Sequence, residues 1–286
     1  SADPIFSNLE ATSVTITTKP SAPWWLSPTH VIIPSTVTSI GANAFEDISR
    51  LAEVTIEEGV KSIGNSAFKG TGLKFVTIPS TVTSIGENAF MDASDLTEVT
   101  IEEGMERIER AAFRGTGLQS VSIPGSVYWI GYWAFMGASD LTEVTIEAGA
   151  AGGGREGYGS DAGGGAGMGG NVFQGTGLKS VTIPGSVEFF DELHGWSGGG
   201  GDFSGIAALT EVIIEEGLGF IGDYTFRGTG LKSVTIPSSV TRIGKNAFED
   251  TTMLTSVTIK PGVKTIDESA FKGSGLTSVT IPGSVD

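Results

Sequence analysis

The chain has 286 residues, no cysteine, two histidines and a formal net charge of −16. These counts exclude disulfides, thiolate metal ligands and a histidine-rich metal site, and the acidic excess argues against nucleic acids and anionic membranes, which both need a basic partner. No apolar run approaches the length of a membrane span, so we expect a chain that neither spans a bilayer nor carries a cofactor.

Residues 1–30 are predicted to form an N-terminal capping region with a degenerate first repeat. The triplet at 14–16 is followed by no phenylalanine at the usual distance, and Trp24, Trp25 and Leu26 are available to close the apolar interior. The first residues lack the basic and apolar regions of a secretory signal. They are consistent with the mature end of a secreted chain after cleavage.

Residues 31–286 are predicted to form a solenoid of short repeats, called rungs below. Counting the degenerate first repeat, a Val-x-Ile triplet marks each of twelve rungs, which start in order at Val14, Val31, Val54, Val76, Val99, Val121, Val144, Val181, Val212, Val234, Val257 and Val279. In eight rungs a phenylalanine follows the isoleucine by twelve residues, and the leucines before the triplets are alternately 22 and 23 residues apart. This period indicates a leucine-rich-repeat solenoid with about twelve short parallel strands on a concave sheet and an irregular convex side.

The recurring pattern IPxxVxxIGxxAFxxxxxLxxVxI resembles the BspA-like leucine-rich repeats, over nearly the whole chain. The resemblance implies a solenoid with an Ala-Phe corner in place of the asparagine ladder of many other leucine-rich repeats. It also implies a non-enzymatic surface or extracellular protein that attaches to or binds host, matrix or neighbouring proteins. The spacing of the repeats indicates none of these partners by itself.

Eight glutamates are predicted to share the concave sheet, two on every second rung, because side chains alternate between the two faces of a strand. They are Glu53, Glu57, Glu98, Glu102, Glu143, Glu147, Glu211 and Glu215. The column between valine and isoleucine is mainly threonine, which suits an exposed strand without indicating an ice-binding surface. The glutamates fit either a solvated acidic face or a docking site for a basic partner or loosely held Ca²⁺.

Rungs six to nine carry aromatic residues where other rungs carry polar ones. Trp129 falls in the outward column of Ser62, and Trp133 in a column predicted to contain Arg110. The predicted patch, called the aromatic edge below, consists of Tyr128, Trp129, Tyr132, Trp133, Tyr158, Phe189, Trp196, Phe220 and Tyr224. If half of each ring is exposed, the four rings of rung six leave about 400 Å² of apolar surface, which is the size of an interaction site. A glycine-rich loop folded over the rings, a docked protein and a stacked sugar are the three alternatives.

Two glycine-rich insertions lie in adjacent rungs, at about 148–171 and 188–202. Their composition predicts flexible loops. The stretch GWSGG around Ser197 formally matches a nucleophile elbow, and GAGMGG at 165–170 matches a dinucleotide fingerprint. Neither stretch connects a strand to a helix, so we predict no catalytic residue and no enzyme.

The last triplet, at 279–281, is followed by PGSVD without the residues that would complete a rung. Such an open end either lacks a further segment or stacks on another copy of the chain. The sequence therefore favours a surface or extracellular protein that mediates adhesion or binding, to a protein partner or alternatively a glycan, through the aromatic edge. The alternative is a structural subunit that self-associates head to tail through uncapped ends or docks in a larger complex.

Overall fold

The computed structural model describes residues 14–16, 28–151, 167–188 and 201–285. Within these ranges the chain forms a solenoid of parallel strands and turns, without helices, as the repeat period predicts. A complete rung contributes a four-residue strand to a main sheet and a second strand, usually of two residues, to a second sheet. The Ala-Phe corner follows the second strand and returns the chain to the next rung.

The main sheet is built from the Val-x-Ile triplets. Its strands are β2 (His30–Ile33), β4 (Glu53–Ile56), β6 (Phe75–Ile78), β8 (Glu98–Ile101), β10 (Ser120–Ile123), β12 (Glu143–Ile146), β14 (Ser180–Ile183), β15 (Glu211–Ile214), β17 (Ser233–Ile236) and β19 (Ser256–Ile259). Valine and isoleucine point inward in nearly every strand and the residues beside them point outward, which is the burial pattern of a half-buried strand. The hydrogen-bonded ladder runs without a break from β2 to β12 and then continues as the pairs β14–β15 and β17–β19.

The second sheet replaces the irregular side that the sequence predicts. Its strands are β1 (Val14–Ile16), β3 (Val37–Ile40), β5 (Ser62–Ile63), β7 (Ser84–Ile85), β9 (Arg107–Ile108), β11 (Trp129–Ile130), β13 (Gly167–Met168), β16 (Phe220–Ile221), β18 (Arg242–Ile243) and β20 (Thr265–Ile266). Glycine follows most of these strands because the rungs come very close there. A Cβ on Gly64 would lie 2.7 Å from the backbone nitrogen of Ala42.

Two of the twelve triplets do not join the main sheet. Strand β1 pairs with β3 in the second sheet, with Ile16 opposite Ile40. Val14 precedes Val37 by one rung length of 23 residues, whereas the 17 residues from Val14 to Val31 are too few for a full turn. Residues 279–281 form no strand, so the main sheet has ten strands in the described ranges instead of twelve.

The core is a spine of stacked phenylalanines. Neighbouring ring centroids lie 5.1 to 5.6 Å apart with interplanar angles from 1° to 18°, through Phe45, Phe68, Phe90, Phe113, Phe135, Phe173, Phe203, Phe226, Phe248 and Phe271. The two phenylalanines that come late in the sequence occupy regular places in this stack. The spine is therefore continuous through rungs seven and eight, where the described strands of the main sheet form separate ladders.

The repeat length alternates between 22 and 23 residues because the link from the spine phenylalanine to the next leucine alternates between a short and a long form. In the short link GTGL, the hydroxyl of Thr116 donates to the carbonyl of Phe113 at 2.8 Å. A Cβ on Gly117 would lie 2.3 Å from the carbonyl oxygen of Ser94 in the preceding long link. The short link therefore requires glycine, because it packs against the backbone of the longer one.

Candidate functional site

Tyr128 and Trp129 begin the aromatic edge on strand β11. They are only 6% and 3% exposed, so the prediction of half-exposed rings is wrong for these two. The register places Gly167 opposite Trp129, so no side chain of the next rung occupies the space beside the indole. The guanidinium of Arg107 lies 5.7 Å and 5.8 Å from the centroids of the two rings and bonds to Glu109 at 2.6 Å. This half of the edge is a buried aromatic and arginine cluster.

Tyr132 and Trp133 form the half-buried part of the aromatic edge in rung six. The register corrects the predicted column, because Ala111 occupies the place equivalent to Trp133 while Arg110 lies beside Tyr132. Arg110 is exposed, and its guanidinium carbon lies 4.5 Å from the centroid of the Trp133 ring. Such a cation–π contact holds both side chains in a fixed relative orientation at the surface.

Rung nine repeats the arrangement three rungs further along the stack. Phe220 occupies the column of Trp129, is half-buried and packs against the core. Tyr224 occupies the column of Trp133, and the guanidinium carbon of Arg227 lies 5.8 Å from its ring centroid. The sequence therefore correctly assigns these aromatic residues to common columns. At about 4.8 Å per strand, Trp133 and Tyr224 stand roughly 15 Å apart.

The backbone at Trp133 and Tyr224 is left-handed, with φ of 63° and 59°. Other corners place Asn88, Asn171 or Asn246 in this conformation, with φ between 55° and 60°. A bulky residue is rare there because its Cβ crowds the neighbouring carbonyl, at a cost of about 1 to 2 kcal/mol. The chain thus holds two large rings at positions whose backbone favours asparagine or glycine.

The remaining aromatic-edge residues, Tyr158, Phe189 and Trp196, lie outside the described ranges, as do Ser197, Trp24 and Trp25. The regular part of rung seven extends further into the first predicted insertion than the sequence indicates. Ala150, Ala151 and Met168 are fully buried, so residues predicted as loop belong to the core of rung seven. Both insertions leave and re-enter the solenoid on the side of the aromatic edge, between the main strand and the corner.

The eight predicted glutamates do share one face of the main sheet. Seven are exposed and Glu53 is half-buried. The register aligns Glu53, Glu98 and Glu143 in one column on alternate strands. Three carboxylates of the other column also bond to the preceding rung: Glu57 and Glu102 accept the backbone N–H groups of Ser35 and Ser80 at 2.9 and 3.1 Å, and Glu147 accepts the Ser122 hydroxyl at 2.9 Å. These carboxylates therefore also stabilise contacts between rungs.

The acidic face also carries apolar side chains that composition does not reveal. Ile32, Phe75 and Ile213 are 50%, 48% and 53% exposed. Phe75 lies directly between Glu53 and Glu98 in the glutamate column. The repeat alignment shows these residues, but a single apolar residue on an exposed strand is common and does not by itself indicate a binding site.

Asp202 lies close to the aromatic edge and is only 3% exposed. The sequence assigns it to the second insertion, but it is the residue that precedes Phe203 in the corner of rung eight. Burial raises the pKa of its carboxyl well above the ordinary value, against hydrogen bonds from the backbone N–H groups of Asp202 and Val172. Burial, and next the charge of Asp202, raise the pKa of the Tyr132 hydroxyl.

No set of three or more His, Cys, Asp or Glu side chains suited to a metal ion occurs in the described ranges. The same ranges contain no helix of the length and apolarity needed to cross a membrane.

Several solved bacterial leucine-rich-repeat proteins are similar to this chain. One from Bacteroides ovatus is 26% identical, with a TM-score of 0.45 over 85% of this chain and 76% of that protein. The pneumococcal vaccine antigen PcpA is 18% identical, with a TM-score of 0.48 over 90% and 73%. A leucine-rich cell surface protein from Faecalibacterium prausnitzii is 24% identical, with a TM-score of 0.37 over 94% and 88%.

No curated protein sequence matches the chain. A family model does match it, that of the BspA type leucine-rich repeat region, in 6 copies over residues 24–142 and 168–286. These ranges cover most of the chain and contain the stacked rungs described above. The chain belongs to the family of BspA-type leucine-rich repeats.

Proposed function

We propose that this chain is a non-enzymatic surface or extracellular protein that binds a protein partner through the aromatic edge. Trp133 and Tyr224 form the centre of this surface, since Tyr128 and Trp129 are buried. The proposal rests on family membership for the general role and on the corner geometry for the position. Leucine-rich repeats present extended, rigid surfaces that suit macromolecular binding.

The observation that carries the position is the left-handed backbone of Trp133 and Tyr224. Strained residues of this kind cluster at binding sites, where the surrounding structure holds them in place. An asparagine at either position would satisfy the backbone, as it does at Asn88 and Asn246. The rings are therefore best explained by a contact that they make outside the rung.

The chemistry of the surface supports a protein partner. Tryptophan, tyrosine and arginine are the residues that contribute most binding energy at protein interfaces. Arg110 stacks on Trp133 and Arg227 lies over Tyr224, so each ring is paired with a guanidinium group. A stacked pair of this kind loses little side-chain freedom on binding, because its orientation is already fixed.

We test the proposal with a photo-crosslinking amino acid at position 133 in one variant and at position 75 in another. Position 75 is the control, because Phe75 is an exposed aromatic residue on the acidic face. We expect position 133 to crosslink a protein that mass spectrometry identifies. That protein, once purified, should bind Trp133→Asn and Tyr224→Asn at least about 30-fold more weakly, the effect of losing a hot spot worth 2 kcal/mol.

Asparagine is chosen because it suits the left-handed backbone, so the corner should keep its conformation. Equal affinity of the purified protein for wild type and both asparagine variants would contradict the proposal. Crosslinking from position 75 with none from position 133 would move the binding surface to the acidic face. A crosslinked product whose mass is reduced by glycosidase treatment would instead favour the glycan as the bound group.

A second function is supported by the last described rung. Val279 and Ile281 are 39% and 47% exposed, whereas Val234 and Ile236 in the same columns are 4% and 0% exposed. A further rung, from a longer chain or from a second copy, would cover them. We therefore propose head-to-tail self-association as the alternative function of this chain.

A further inference from the structure

The residue before the spine phenylalanine is small and uncharged in nine of the ten described corners. This column contains Ala44, Ala67, Ala89, Ala112, Ala134, Val172, Thr225, Ala247 and Ala270, and Asp202 is the tenth member. Eight of the nine small residues are at most 1% exposed, and Ala270 is 3% exposed. The backbone N–H of Phe173 bonds to the carbonyl of Asp202 at 3.0 Å, which places Asp202 in the regular ladder of the corner.

The carboxyl of Asp202 has no counter-charge among the described residues. Its Oδ1 atom is buried and has no hydrogen-bond partner within the part of the chain that the structure describes. Thr225, the polar residue in the same column of the next rung, donates its hydroxyl to the carbonyl of Gly222 at 2.8 Å. A protonated aspartic acid can act as such a donor, but an ionised one cannot. Burial of the ionised form also costs the free energy of desolvating its charge.

The titratable groups of the neighbouring rungs do not neutralise Asp202. Tyr132 in rung six has its own pKa raised by burial and by Asp202. In rung nine, Asp223 bonds to Arg242 at 3.0 Å and Arg227 bonds to Glu249 at 3.0 Å, so both are paired with groups further along the stack. Tyr224 has its ring beside Arg227. Glu188, on the described side of the insertion, is exposed to water.

We propose that Asp202 makes the corner of rung eight a pH-sensitive element, which is packed while the carboxyl is protonated and opens locally when the carboxyl ionises. In an unfolded chain an aspartate ionises near pH 4. Burial raises the pKa in the folded chain, so the folded state binds more protons between the two pKa values. The stability of the corner is therefore greatest at acid pH and is lost as pH rises through the folded pKa.

Asp202 lies beside the phenylalanine spine, so an opening of its corner would affect the core of rung eight. Phe203 follows Asp202 directly, and its ring lies 5.6 Å from that of Phe226, the longest spacing in the spine. Residues 201–205 also follow the second insertion directly, so this corner is the first described part of rung eight after Glu188. An opening of this corner would disturb one rung while the regular rungs on either side remain stacked, since each rung contacts only its neighbours.

The test is hydrogen exchange of the amides in 201–205, corrected for intrinsic rates, at pH 5 and pH 8. In the wild type we expect the opening equilibrium constant to be at least about tenfold larger at pH 8, the change produced by one pKa unit. Asp202→Asn and Asp202→Ala should remove this difference, and Ala is the common residue of the column. Asp140→Asn, at an exposed acid, is the control and should keep it.

A second measurement needs no variant. The carboxyl carbon of Asp202, followed by NMR in the wild type, should titrate well above the range of an ordinary aspartate. Titration in the ordinary range would overturn the proposal. An equal pH dependence of exchange in wild type and Asp202→Asn would overturn it as well, because the ionisation would then lie elsewhere.

Discussion

At the scale of single residues, burial separates side chains that look alike in sequence. Phe113 and Phe75 are the same type of residue, but Phe113 is fully buried in the spine and Phe75 is 48% exposed on the acidic face. Trp129 and Trp133 differ in a similar way, one buried and the other at the surface. The position of a side chain in its rung, more than its type, therefore decides whether it is buried in the core or exposed on the surface.

The spine gives the first stability prediction. The ring of Phe113 stacks between Phe90 and Phe135 at 5.1 and 5.3 Å, and no water can fill the space that its removal would leave among apolar side chains. Phe113→Ala should therefore lower the free energy of unfolding by about 3 to 5 kcal/mol in chemical denaturation. Phe75→Ala is the control and should change it by less than about 1 kcal/mol, as expected for an exposed side chain. Similar losses for both variants would mean that the spine is not the main source of stability.

At the scale of elements, the strands of the main sheet could be predicted because Val-x-Ile combines alternation with a fixed period. The second sheet could not, since most of its strands have two residues and are too short to show alternation. The columns of the aromatic edge could be predicted, but the pairing of buried Trp129 with Gly167 could not, since the sequence places Gly167 inside an insertion. Asp202 was missed for the same reason, because the exact end of an insertion fixes which residue enters the core.

Interruption of the ladders predicts where the elements are least stable. Strands β14 and β15 hydrogen-bond only to each other among the described strands, whereas β6 and β8 each have partners on both sides. An amide in a strand paired on both sides is released only when more of the stack opens. Native-state hydrogen exchange should therefore give protection factors for 180–183 and 211–214 at least about tenfold lower than for 75–78 and 98–101. Uniform protection would show that side-chain stacking, and not the ladder, sets local stability.

At the scale of the whole molecule, the acidic face and the aromatic edge are two separate surfaces of the same rungs. The main sheet carries the column of Glu53, Glu98 and Glu143, while the corners carry Trp133 and Tyr224 with their arginines. A partner on the aromatic edge need not contact the acidic face, because the two surfaces arise from different segments of the rung. The net charge of −16 also opposes association between copies at low ionic strength.

This charge makes head-to-tail association testable through its dependence on salt. In the proposed association, exposed Val279 and Ile281 provide the apolar contact. Added salt screens the repulsion between acidic chains, with a Debye length of about 10 Å at 0.1 M and 3 Å at 1 M. Light scattering should therefore show a mass that increases with protein concentration, and more steeply at high salt. Ile281→Lys should remain a single chain, whereas Thr280→Lys, which adds the same charge at the adjacent exposed position, should still associate. A wild type that stays monomeric at all concentrations and salt levels would exclude self-association and leave binding through the aromatic edge as the proposed function.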